Sequence, residues 1–223
     1  MKDEVLSEGE ENKALTWEEV SVEHLIKDEY IDFRRSDYRM PDGKVYGPYY
    51  TYSRRDYCII VAQEEDGRFP CVRQFRQGVR RITTEFPAGG IERKDGRQYA
   101  EHYSVDGKAY IDRSSEEVNG PAGREDALEA AIRELKEETG YEAAEWKELL
   151  TIASNATIAD NYAHIYLATG CKKVAGLDLD EMEFLSVHHY TEEEIDGMIA
   201  ENRFEQAIHM LAWLLAKKEL KKD

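Results

Sequence analysis

Three glutamates give this chain its densest candidate chemistry. They stand in the run Arg133-Glu134-Leu135-Lys136-Glu137-Glu138-Thr139-Gly140. Glu134 precedes Glu137 and Glu138 at i, i+3 and i, i+4 spacing, so a helix gathers the three carboxylates in an arc of about 100°. A bare helix is ill served by this. Glu134 and Glu138 form a like-charged i, i+4 pair. Glu137 and Glu138 also fall in the last turn, where the helix dipole disfavours each anion by up to about 1 kcal/mol. A hard divalent cation relieves both effects. Mg²⁺ suits a few carboxylates because it completes its shell with water and phosphate oxygens, and Mn²⁺ accepts the same oxygen ligands. The competing reading is a solvated acidic face, with Arg133 paired to Glu137 at i, i+4.

Several elements must position these groups. Leu128, Ala131, Ile132 and Leu135 at helical spacing predict a helix from about Glu125 to Thr139, with Gly140 as its stop and Glu125 in its first turn. Upstream, Tyr57–Gln63 and Phe69–Phe75 flank Asp66-Gly67 as a hairpin, and a strand over Arg81–Pro87 ends in Ala88-Gly89-Gly90. Nearer the start, strand-like pieces at Val20–Ile26, Glu29–Phe33 and Tyr49–Tyr52 are punctuated by turns at Pro41-Asp42-Gly43 and Gly47-Pro48. Residues 1–13 are charged and expected to fray. Residues 93–122 are polar, with a small hairpin expected from Tyr103–Val105 and Lys108–Ile111. Strands follow at Trp146–Ile152 and Ala163–Thr169. Thr191-Glu192-Glu193-Glu194 resembles a capping box, and a last helix over Phe204 to Leu220 turns Ala207, Ile208, Leu211, Leu214 and Leu215 inward. Strands bracketing one central helix, with a helix at the end, predict a mixed sheet between helices.

Composition narrows the partners. At 223 residues the chain fits one large domain, or one domain with a small N-terminal appendage. The formal charge is −17 and no basic stripe interrupts it, so no nucleic-acid partner is expected. An anionic substrate then needs metal ions or local arginines to reverse the field. Cys58, Cys71 and Cys171 are far apart and lack metal-ligand spacing, which predicts buried thiols in a reducing compartment. The acidic start is no signal peptide, and no stretch approaches the ~18 apolar residues of a membrane span. A cytoplasmic protein without a membrane partner is expected.

With these residues in place, the chain resembles the Nudix hydrolases, whose signature is G-x₅-E-x₇-R-E-U-x-E-E-x-G-U with U aliphatic. Glu125 precedes Arg133 at the required distance, and Arg133 to Gly140 match; only Tyr141 departs from U. Glu85-Phe86-Pro87-Ala88-Gly89-Gly90-Ile91-Glu92 is similar to the run that opens the box in ADP-ribose pyrophosphatase-like members. About 30 residues then intervene where those members have a few, so literal spacing puts Asn119 at the signature glycine. Gly89 is the better equivalent, and 93–122 reads as an insertion, which a surface loop accepts at small entropic cost. Val72-Arg73-Gln74-Phe75-Arg76 and Ala156 to Ala168 resemble the flanking strands of the same subgroup.

The resemblance implies an α/β (α+β) fold: a Nudix α/β/α sandwich over 57–223 with a mixed sheet and the insertion, plus a small antiparallel β arm over 1–56. It implies Mg²⁺-dependent hydrolysis of a nucleoside diphosphate linked to X, such as ADP-ribose or another nucleotide sugar. Glu134, Glu137 and Glu138 would be catalytic and hold the metal with the Ala88 carbonyl, while Gly89 and Arg76 would meet substrate. Arg73, Arg80 and Arg81 are further candidates for the same diphosphate contact. Arg133 and Glu125 would brace the site. Asn161 stands where the subgroup often has a glutamate base, and an amide takes no proton. Asp160 beside it is the substitute, with Glu137 or a metal-bound hydroxide as other candidates; Asp160 equally suits a loop cap. A homodimer through the aromatic-rich arm is implied, with Tyr99, Tyr103 and Tyr110 of the insertion available to line a base or sugar pocket. Two other readings are a non-catalytic nucleotide-sugar-binding module and a Nudix enzyme for another nucleoside diphosphate derivative. A phosphate-release assay separates the first from an enzyme.

Overall fold

The computed structural model describes residues 8–28, 30–92 and 125–222. The insertion at 93–122, with its expected hairpin, Asn119, Tyr99, Tyr103 and Tyr110, lies outside the described residues. The chain divides into two compact units: the first holds, among described residues, those up to Arg55 together with Asn155–Asn161, and the second holds the rest.

In the first unit a short helix α1 (Glu8–Leu15) precedes three antiparallel strands, β1 (Glu18–Lys27), β2 (Asp32–Arg39) and β3 (Val45–Ser53). The start expected to fray is thus helical over Glu8–Leu15, with Lys13 in the last turn, where a cation suits the dipole. Strand β2 runs well past Phe33 through Arg34, Arg35, Ser36 and Asp37. Opposite charges across the ladder permit this: Glu23 pairs with Arg35 in register, and their side chains meet at 2.8 Å. Gly47-Pro48 is no turn. It lies inside β3 with a cis peptide bond, opposite the register shift between Ser36 and Tyr38.

The second unit is built on two sheets. The strands β4 (Tyr57–Glu64), β7 (Ala88–Gly90), β8 (Tyr141–Glu142), β9 (Glu145–Ala153) and β10 (Tyr162–Lys173) form a mixed sheet in which β10 runs parallel to β4 and antiparallel to β9 and β8. The strands β5 (Phe69–Arg76), β6 (Arg81–Glu85) and β11 (Leu185–Tyr190) form an antiparallel sheet in the order β11-β5-β6. Three helices cover them: α2 (Ala127–Thr139), α3 (Glu192–Ala200) and α4 (Ala207–Leu220).

Period-two alternation divides the core into two layers. Cys58, Ile60 and Ala62 of β4, with Tyr166 and Ala168 of β10, meet Ala130, Ala131 and Leu135 of α2. Ile59 and Val61, with Ala163, Ile165 and Leu167, meet Ile195 and Met198 of α3 and Ala212, Trp213 and Ala216 of α4. Strands buried on both faces read as continuous apolar runs, as Cys58 to Ala62 does. The arrangement is an α/β/α sandwich with a mixed sheet. All three cysteines are free and buried in it, Cys71 on the α4 side and Cys58 and Cys171 on the α2 side. Burial pushes the Cys58 and Cys171 thiols up to about 12.

Two helix faces differ from the expected ones. Helix α4 buries His209, Ala212, Trp213 and Ala216, while Leu214 is 62% exposed. It is apolar nearly all round, so periodicity does not fix its phase. Helix α2 starts one residue after Asp126, which caps it by accepting the Leu128 N–H at 2.8 Å and closes a capping box with Glu129. Glu125 therefore precedes the helix instead of sitting in its first turn. At the other end Gly140 takes φ +75°, and a Cβ there would lie 2.2 Å from the Ala175 carbonyl oxygen.

Replacing Asp126 by Ala should destabilise the protein by about 1 kcal/mol, with Asp126→Ser recovering most of the loss. Thermal or urea unfolding checks this; an unchanged midpoint for the Ala variant would remove the cap from the account.

Candidate active site

Two of the three candidate glutamates of helix α2 lie in its buried stripe. The buried positions are Ala130, Ala131, Glu134, Leu135, Glu138 and Thr139, while the expected core residue Ile132 is 42% exposed. Glu137 lies outside the stripe, with its side chain 37% exposed. Burying two carboxylates on one helix face is costly unless each finds a partner.

The partners come from Arg133 and from strand β7. The Arg133 guanidinium donates to Glu134 at 2.8 Å, to Glu137 at 2.9 Å and to both oxygens of Glu125 at 3.1 and 3.0 Å. It also reaches the Gly90 carbonyl at 3.2 Å. Glu138 is served by the Ala88 N–H at 2.9 Å. The loop carrying Ala88 is fixed against β4, since Ile60 N–H donates to the Pro87 carbonyl and Cys58 and Ile59 pair with Gly89 and Ala88. The two ends of the insertion also meet here: Glu125 N–H donates to the Glu92 carbonyl at 2.8 Å, and Glu92 N–H to the Glu125 carboxylate at 3.2 Å.

A side chain at Gly89 would displace the Glu134 carboxylate. A Cβ at this position would lie 1.8 Å from the Glu134 carboxyl carbon. The backbone of the strand end and the carboxylate of the helix thus share one narrow space. Burial pushes the Glu134 carboxyl up to about 7, against the opposing pull of Arg133 and with Glu137 adding to the rise. Burial and the neighbouring Glu134 charge hold Glu138 well above the usual carboxylate range. Among the described residues no three His, Cys, Asp or Glu side chains converge as they stand in a metal-holding group. Arg133 and the Ala88 N–H take that place around the carboxylates.

Arg76 is brought to the same end of the unit through Glu85. Its Nε and Nη2 donate to the two Glu85 oxygens at 2.9 and 2.7 Å. Glu85 is fully buried and also accepts from Thr83 at 2.6 Å and from Gln206. Burial alone would raise its carboxyl; the Arg76 guanidinium, together with His209 and the Thr83 hydroxyl, holds it below the usual range. His209 completes the group. Its Nδ1 accepts the Phe86 N–H at 3.1 Å and its Nε2 lies 3.8 Å from Glu85. Burial lowers the imidazole to about 4 despite the Glu85 charge, so it is neutral. Sequence reading missed Gln206 and His209, because both lie more than a hundred residues from the strand they hold and no local pattern marks them.

Asp160 belongs to the first unit. Its Oδ2 accepts from Ser53 at 2.5 Å and from the buried Arg34 at 3.2 Å. Its backbone N–H donates to the Tyr52 carbonyl at 3.3 Å. Asn161 is equally engaged, its side-chain amide donating to the Arg55 carbonyl at 3.0 Å. Arg73 and Arg81 do not join the glutamate helix; they line a separate cleft of the second unit. No helix among the described residues is long and apolar enough to cross a membrane.

A family profile for the NUDIX domain matches residues 53–214. The chain is 25% identical over 189 residues to an ADP-ribose pyrophosphatase of Bacillus subtilis, covering 82% of each protein. It is 28% identical over 158 residues to an ADP-ribose pyrophosphatase of Mycobacterium tuberculosis, covering 71% of this chain and 62% of that one. It is also 25% identical over 191 residues to a methanol dehydrogenase activator of Bacillus methanolicus, over 82% and 83% of the two chains. A crystal structure described as an ADP compounds hydrolase aligns with a TM-score of 0.68 over 93% of this chain and 95% of that one, at 19% identity, a likeness of fold. With the glutamate helix inside a profile that spans well over half of its length, the chain belongs to the Nudix family, as a pyrophosphohydrolase of the ADP-ribose pyrophosphatase-like kind.

Proposed function

We propose that this protein hydrolyses the diphosphate bond of ADP-ribose or a closely related nucleotide sugar, releasing a nucleoside monophosphate and a sugar phosphate. The observation that carries the reading is the burial of Glu134 and Glu138 in one helix stripe, with the Glu134 carboxylate occupying the space that a side chain at Gly89 would fill. Two relatives named ADP-ribose pyrophosphatase support the choice of substrate.

The donor types fit a hard divalent ion: three carboxylates on one helix, all oxygen, facing a strand end whose Ala88 N–H already meets Glu138. Glu134, Glu137, Glu138 and the Ala88 carbonyl would hold Mg²⁺, with Mn²⁺ as the alternative. The ion supplies charge neutralisation for the diphosphate and acidifies the attacking water. Arg133 keeps Glu134 and Glu137 oriented until then. Arg76 uses Nε and Nη2 on Glu85, which leaves Nη1 for a phosphate oxygen. Asp160 suits either a base or a loop cap. Its bonds to Arg34 and Ser53 support the loop-holding role, and the part-exposed Glu137 then takes the proton; Asp160→Asn separates the two.

The first unit supports a homodimer. Val20, Val22, Leu25, Tyr46 and Tyr50 are exposed on its strands, and Trp17, Tyr38 and Tyr49 cluster at ring distances of 5.4 to 6.1 Å. Exposed aromatic and aliphatic groups in such number mark an interface.

Three outcomes are expected. Glu137→Gln and Glu138→Gln should each lower kcat on ADP-ribose by about a hundredfold or more with folding intact; a variant keeping a tenth of the wild-type rate loses its assignment, and turnover only of nucleoside triphosphates in a substrate panel defeats the substrate reading. In EDTA, the raised Glu134 and Glu138 groups make the folded state hold protons that the unfolded chain has released. Stability should therefore fall as pH rises from about 4.5 to 7. Millimolar Mg²⁺ at pH 7.5 should restore the lost Tm, and Glu134→Gln should flatten the pH slope; a slope unaffected by that substitution contradicts the electrostatic account. Light scattering at micromolar concentration should give twice the 25.8 kDa chain mass, and a fully active monomer rules the dimer out.

A further inference from the structure

A second concave region lies in the same unit as the glutamate helix but is built from other residues. A cleft of about 670 Å³ is lined by β5, β6, the end of β11, α3 and the turn between α3 and α4, a size usual for small-molecule sites. None of Glu134, Glu137, Glu138, Ala88 or Arg76 lines it.

Its charge is opposite to that of the chain. Arg73, Arg81 and Arg203 converge there in a protein of net charge −17. Two carboxylates also line it, and both are engaged. Glu194 accepts the Thr191 N–H at 2.8 Å in the α3 capping box, and Glu205 pairs with Arg81 at 2.9 Å. Arg203 is held by Glu201. The Arg73 side chain has no hydrogen-bonded or ion-paired partner among the described residues. At least one guanidinium is thus left to bind an anion from solution, and a second is held nearby.

The wall of the cleft gives an independent indication. Gly197 stands in the interior of α3, where glycine costs about 1 kcal/mol relative to alanine. Packing within the chain does not require it, because a Cβ at Gly197 meets nothing within 4 Å. Its effect is to leave a bare stretch of helix backbone facing the cleft, open to close approach. Beside it, Ile82 and Tyr190 add an aliphatic and an aromatic surface, over the buried Thr84 and Met198.

We propose that this cleft is a second ligand site for a small organic phosphate. The phosphate is taken by Arg73 with Arg203, and the planar or apolar part of the ligand lies along the wall formed by Ile82, Tyr190 and Gly197. The shape and the charge are both needed: the arginines alone would bind any anion, and the bare wall alone any flat ring.

Calorimetric titration of the metal-free protein tests this, with AMP, inorganic phosphate and adenosine in separate arms. AMP should bind, and each of the other two should bind about tenfold more weakly or less, since each lacks one half of the recognition. Gly197→Leu fills the cleft without changing a charge and raises helix propensity, so it should keep or raise Tm while weakening AMP about tenfold. Arg73→Ala, at an exposed strand position, should weaken AMP to a similar degree and serves if the leucine variant fails to fold. AMP affinity unchanged in both variants places the ligand elsewhere and overturns the proposal. So does absence of AMP binding by the wild type at millimolar concentration, or phosphate binding as tightly as AMP.

Discussion

The arrangement of the candidate site depends on one guanidinium. Arg133 holds Glu125, Glu134, Glu137 and the Gly90 carbonyl in a single fan of hydrogen bonds. Those four groups come from the approach to α2, its middle, its last turn and the end of β7. Without the central cation they are three anions and a carbonyl dipole with no reason to meet. The planar fork of arginine is what makes this possible, because lysine offers no rigid set of divergent donors. Partial burial strengthens the interaction and also raises the cost of losing any member.

A second cation repeats the principle one strand away. Arg76 neutralises the fully buried Glu85, and Gln206 and the neutral His209 complete that carboxylate's surroundings from the start of α4. The same helix fixes Phe86 through the His209 ring nitrogen. Two positions further along the chain lies Ala88, whose N–H serves Glu138. Helices on opposite faces of the sheet therefore grip the same short stretch of backbone, α2 through its glutamates and α4 through a histidine. The sheet between them supplies the stiffness, since β4 and β10 are buried on both faces. A site held from two sides is more closely positioned than one resting on a loop alone.

How much of this was legible in the sequence varies residue by residue. The glutamate spacing and Gly140 stop locate α2 to within two residues, because both are local signals. Its burial phase is not legible: Ile132 is exposed while Glu134 and Glu138 are buried, since a hydrophobicity pattern cannot anticipate buried carboxylates whose partners are a guanidinium on the same helix for Glu134 and a backbone N–H on β7 for Glu138. Strand β11, Leu185–Tyr190, escaped notice because Ser186, His188 and His189 dilute its alternation, and it forms by pairing with β5. The sequence pattern of strand β2 stops at Phe33 for a related reason, its charged half being matched by charges on β1. The role of Arg76 is half visible: the motif marks it, but not its bidentate contact with Glu85, because the register of β5 against β6 puts Arg76 opposite Arg81 and Glu85 opposite Val72.

The three cysteines, placed in the core simply as small apolar groups, have a use unrelated to catalysis. A thiol held up near 12 by burial is almost never a thiolate at neutral pH, so native Cys58 and Cys171 are inert to alkylating reagents. Reaction requires the surrounding layer to open first. Cys71 sits in the layer under α4, and Cys58 and Cys171 in the layer under α2, with the Cys58 thiol beside the Gly89 carbonyl. Labelling rates read at each position would therefore time the opening of the two halves of the sandwich separately, with no probe added to the chain.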